Sequence, residues 1–154
     1  MRHITWLISV LLFSCGPNPN ISSTQPVTVD PVLQPYFDAF QTTIGYPSSG
    51  INGQFADTES NPNPLGETIG ECTIYSDGTR TIQIDSGFWA RADESERIQL
   101  IFHELGHCAL NLQHIVTELP SGCPTSIMYP YTFGDNACYT SNLTYYFQEL
   151  ASHK

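Results

Sequence analysis

Apolar positions along the chain fall into a few periodic runs, and their spacing changes from helical to strand-like and back. Val32, Leu33, Tyr36, Phe37 and Phe40 recur at helical spacing behind Asp30-Pro31, a cap and first-turn signal. This predicts an amphipathic helix from Asp30 to Thr43 that stops near Gly45. Gly50 to Thr58 reads as a strand weakened by its two glycines, and residues 61–66, rich in Asn and Pro, read as a loop. Glu71 to Ser76 and Thr79 to Asp85 are β-rich runs on either side of Asp77-Gly78, which predicts a hairpin. In the second run Thr81, Gln83 and Asp85 alternate with Ile82 and Ile84, which predicts one buried face.

Asp93 and Glu96 form a capping-box pattern and open a proline-free run to Leu110, so a long helix is expected there. Ile98, Ile101, Phe102, Leu105 and Ala109 make one apolar arc, while Leu100 shares a second arc with His103, Glu104 and His107. A helix apolar on most sides is buried, so its polar residues require a reason to be there. Residues 111–139 contain three prolines and two cysteines and read as loop; Asn142 then caps a short last helix carrying Leu143, Tyr146, Phe147 and Leu150. The order of elements predicts a single α+β domain with a twisted mixed sheet packed against the long helix.

The N-terminus separates from that pattern. Arg2 and His3 precede an apolar run from Ile4 to Phe13, half the length a bilayer span needs, and residues 1–14 read as a signal peptide. Leu12-Phe13-Ser14-Cys15 resembles the bacterial lipobox, which implies lipidation of Cys15 and attachment to a membrane of the bacterial cell envelope; plain secretion is the alternative. Residues 15–29 form a polar tether and residues 30–154 the folded domain. Without Cys15, four cysteines remain, an even number in an exported chain. Three pairings are possible, and Cys123 with Cys138 and Cys72 with Cys108 is the favoured one.

The net charge is −10 and there is no basic patch, which excludes nucleic acid as a partner and leaves the lipid as the only route to a membrane.

His103 and His107 are four residues apart on the predicted long helix, so both rings lie on one face and can meet at a single ion. Glu104 is rotated about 100° from His103, out of ligating geometry but within reach of a water on the metal. This HExxH arrangement, together with Ser126-Ile127-Met128-Tyr129-Pro130, resembles the metzincin clan of zinc peptidases, matrixins above all. Ile84 to Trp89 is similar to the segment preceding the active-site helix in matrixins, and the order of motifs is similar to small bacterial metalloprotease lipoproteins. The resemblance implies a zincin-like fold, one catalytic Zn2+ and a protein or peptide substrate. It also implies Met128 in a methionine turn beneath the metal, and Pro130 with Tyr131 as a wall of the specificity pocket.

The chain departs from the clan between the two motifs. The clan's glycine and third histidine would fall on Leu110 and Gln113; one residue later stand Asn111, suited to a left-handed helix end, and His114. His114 is thus the candidate third ligand, with Glu118 the alternative. With three histidines the fourth metal position is open to water, whose proton Glu104 would take before hydroxide attacks the peptide carbonyl. The expectation is a monomeric, disulfide-braced zinc endopeptidase; its rival is an inactive zinc-binding surface lipoprotein serving as an interaction module.

Overall fold

The computed structural model describes residues 26–57, 68–133 and 137–154; the expected signal peptide, Cys15 and most of the tether lie outside them. Among the described residues the chain is α+β, in the order α1 (Gln34–Ile44), β1 (Ile51–Ala56), β2 (Gly70–Ile74), β3 (Arg80–Asp85), α2 (Ser86–Arg91), α3 (Glu94–Leu110) and α4 (Ala137–Ala151). No helix among them is long and apolar enough to cross a membrane.

The first helix starts later than its cap signal suggests. Asp30 closes a turn instead: its side chain accepts from the Val32 amide at 2.8 Å, and its carbonyl accepts from Leu33 and Gln34. Pro35 gives the reason. A helix begun at Pro31 would need an amide hydrogen at position 35 that proline lacks, whereas a start at Gln34 puts Pro35 in the first turn, where none is required. Phe37, Phe40 and Ile44 form the buried stripe.

The sheet has the order β1-β3-β2, with β1 parallel and β2 antiparallel to β3. The hairpin forms at the expected place but over three residues: Tyr75 and Thr79 close it, Asp77 Oδ1 accepts from the Thr79 amide, and Gly78 takes φ +87. A turn followed by one left-handed residue matches the twist of the strands it joins. Burial of β3 is broader than the alternation predicts, since Thr81 and Asp85 are buried with Ile82 and Ile84. β3 is the central strand, with Asn52 and Thr73 flanking Thr81, and Asp85 turns inward to cap α2 by accepting from the Phe88 amide at 2.6 Å. The end of the expected tether is also folded, as Val29 bridges Gly53 and Asp30 N donates to the Gly53 carbonyl.

α2 was not anticipated. It delivers Trp89 into edge contact with Tyr36 and Phe55, beneath the Arg97 guanidinium. α3 begins with the expected capping box, both halves of which are present, and runs through the core. Its buried residues include Leu100, Ile101, Phe102, Leu105 and Ala109 from both predicted arcs, while Ile98 is only partly buried.

α4 corrects the expectation that Asn142 caps a short helix. The helix begins at Ala137 and Asn142 lies at a kink (φ −121, ψ 18), its Nδ2 donating to the Cys138 carbonyl at 2.9 Å. The added turn holds Cys138, bonded to Cys123, and the buried Tyr139, so tertiary anchoring outweighs the local cap. Cys72 and Cys108 form the second disulfide and tie β2 to α3.

Candidate metal centre

The long helix sets two of the three rings. His103 Nε2 lies 3.1 Å from His107 Nε2 and 3.2 Å from His114 Nε2, and the three nitrogens fall within 4.8 Å of one another. His103 Nδ1 donates to the Ile127 carbonyl at 2.8 Å and His107 Nδ1 to the Leu112 carbonyl at 2.7 Å. A carbonyl can only accept, so both Nδ1 atoms hold the ring proton, and the lone pairs of both Nε2 atoms point into the cluster. Lone pairs facing one another repel unless a cation lies between them. The two short separations match the edge of about 3.3 Å that a tetrahedral site with metal–nitrogen bonds near 2.0 Å requires. The donor set therefore fits a metal ion.

His114 reaches the cluster because of how α3 ends. Asn111 adopts the left-handed conformation (φ 55, ψ 31), and its amide and that of Leu112 both donate to the Gly106 carbonyl. The reversal brings the Leu112 carbonyl to His107 and His114 to the open side of the cluster. Gln113 remains exposed, and Glu118, the alternative ligand, sits in a bridge with Pro124 and is no member of the cluster. Burial depresses His103 to about 4, with the neighbouring His107 and His114 adding to it, and lowers His114 as well. Both therefore remain neutral lone-pair donors at neutral pH.

The segment 126–129 underlies the cluster. Met128 is fully buried beneath Gly106, and its carbonyl accepts from the Ile115 amide at 2.9 Å, tying the turn to the segment that bears His114. Ser126 Oγ accepts from the Met128 amide at 3.0 Å and donates to Glu149 on α4 at 2.8 Å. Tyr146 and Tyr145 donate to the Pro124 and Thr125 carbonyls, each at 2.9 Å. No spacing signal in the sequence marks this support, because it joins residues twenty or more positions apart.

Glu104 is buried with its side chain against Gly70 of β2, close enough that a β-carbon there would collide with it. Burial pushes its carboxyl up to about 8; the charge of Glu71 adds to this, and a hydrogen bond from the Cys72 backbone opposes it. A cleft of about 570 Å³ opens over His103, Glu104, His107 and His114. β2 forms one side and Tyr129 to Phe133 another, so Pro130 and Tyr131 do line it. Ile74 and Tyr131, each about half exposed, stand in its lining. Sequence reasoning missed Gln99, a buried member of this lining whose position four residues before His103 was the available signal.

Compared with protein-family models, curated proteins and solved structures, the chain finds no match.

Proposed function

We propose that the protein is a zinc-dependent endopeptidase of zincin type, similar to the metzincins, exported and anchored to a bacterial envelope membrane through a lipid on Cys15. The observation that supports it most is the convergence of three imidazole nitrogens at the floor of an open cleft, beside a buried carboxyl from the helix that carries two of them. A site of three histidines with room for a further ligand is the pattern of a catalytic zinc rather than a structural one. Zinc, when bound, supplies a Lewis acid that polarises a peptide carbonyl and makes a water more acidic.

The chain's own residues do the rest. His103, His107 and His114 hold the ion, with the Ile127 and Leu112 carbonyls fixing the first two rings. Glu104, in its ionised form, takes up the proton of the attacking water and returns it to the leaving amine. Pro130 and Tyr131 bound the cleft on one side and β2 on the other, so an extended peptide lies between them over the histidines. Met128 fills the space beneath the cluster without ligating.

The test is zinc stoichiometry together with cleavage of casein by wild type, Glu104→Ala and His114→Ala. We expect one zinc and cleavage for wild type, zinc without cleavage for Glu104→Ala, and weakened zinc binding for His114→Ala. Zinc retained by all forms with cleavage by none would overturn the peptidase reading in favour of an inactive zinc-binding lipoprotein.

A further inference from the structure

Gln99 lies on α3 one turn before His103, on the face that lines the cleft. It is 6% exposed, and among the described residues its Nε2 has no hydrogen-bond partner. The orientation of the carboxamide is set from the other end, where Oε1 accepts from the Phe133 amide at 3.5 Å. Phe88, Leu100 and Phe133, which share this lining, offer no side-chain acceptor. A buried donor left unpaired is costly to keep, and an acceptor brought in by a ligand relieves that cost.

The charges around the cleft restrict which acceptor fits. Glu71, Glu96 and Glu104 line it, and no lysine or arginine does among the described residues. At this end a substrate carboxylate would meet the charges of Glu71 and Glu96 with no basic side chain to offset them. A neutral carbonyl oxygen escapes that repulsion. Glu96, three residues before Gln99, uses Oε2 to hold the Asp93 amide and has a second oxygen to accept from an incoming N–H. Carbonyl oxygen and N–H2 on one short uncharged group define a carboxamide.

We propose that Gln99 makes this end of the cleft selective for a substrate residue bearing a carboxamide side chain, asparagine or glutamine. The inference rests on the endopeptidase reading for the identity of its ligand as a peptide. It is tested by binding, so that the two can fail separately. The zinc-loaded full chain with Glu104→Ala is titrated with fluorescent hexapeptides randomised at all positions but one, which is fixed in turn as Gln, Asn, Leu, Glu or Lys. At one position Gln or Asn should bind about tenfold tighter than Leu, the discrimination of one ordinary hydrogen bond, and Glu should bind weakest. Adding Gln99→Leu should abolish the preference, and adding Gln99→Glu should move it to Lys, with unchanged zinc content showing that both variants are folded. Equal binding of all peptides, no binding, or a preference unmoved by Gln99→Leu would overturn the proposal. Casein cleaved by wild type without a carboxamide preference refutes this inference alone. A Gln99-dependent preference in a chain that cleaves nothing refutes the peptidase reading and leaves the carboxamide site standing.

Discussion

The Met128 sulfur occupies the space that a β-carbon on Gly106 would need. A side chain built there would overlap Sδ and crowd Cε of Met128, which is itself fully buried. Gly106 stands directly before His107 and offers the carbonyl that receives the Asn111 and Leu112 amides. The one weak helix former in the long helix is thus placed where Met128 must approach most closely.

Gly106→Ala should therefore destabilise the protein despite alanine's better helix propensity. Overpacking of this kind costs about 1–3 kcal/mol, against about 1 kcal/mol gained in propensity. Urea unfolding measures the net loss. Gly106→Ala with Met128→Ala, which removes the clash, should behave non-additively; simple additivity would show that the two residues do not compete for the space.

The link from Glu149 through Ser126 to the segment holding His103 predicts an effect at a distance. Glu149→Ala removes the acceptor of the Ser126 hydroxyl and loosens the turn whose Ile127 carbonyl orients the His103 ring. Losses at groups that orient a ligand are about 10–100-fold in metal affinity. Competition with a zinc chelator reads this directly, and Glu149→Gln, which keeps an oxygen acceptor, should recover most of it.

Much of this site was legible because it follows from helix geometry. The four-residue step from His103 to His107 puts two rings on one face whatever surrounds them. Asn111 could be read as a helix end because few residues other than glycine tolerate positive φ. What escaped depended on contacts distant in sequence. Asn142 is a good cap in isolation, yet Cys138 and Tyr139 draw the helix back past it. The helix α2 is too short for periodicity, and only Asp85 before it hinted at a cap. The support of residues 124–126 by Tyr145, Tyr146 and Glu149 has no local signature at all.

The two disulfides should contribute unequally. Cys72–Cys108 spans 36 residues and Cys123–Cys138 spans 15, so closure entropy gives the first about 4 kcal/mol and the second about 3 kcal/mol. The first also fastens β2 to α3 beside His107, while the second fastens α4 to the loop before Met128. Cys72→Ser with Cys108→Ser should lower the unfolding midpoint more than Cys123→Ser with Cys138→Ser. The reverse order in denaturant titrations would mean that anchoring α4 outweighs loop length.

Asn111 decides whether the helix end delivers His114, and its substitutions separate backbone strain from side-chain chemistry. Glycine accepts φ 55 without penalty, so Asn111→Gly should leave zinc affinity unchanged and alter stability by only a few tenths of a kcal/mol. A β-branched residue resists this conformation by at least the 1–2 kcal/mol that an ordinary L-residue spends there. Asn111→Val should therefore either lose that much stability or release the turn, moving His114 away from His103. Zinc competition and unfolding measured together distinguish the two: a fall in stability alone means that the turn holds under strain, and a fall in affinity means that it opens. If Asn111→Gly itself weakened zinc, the side chain rather than the left-handed backbone would be positioning His114.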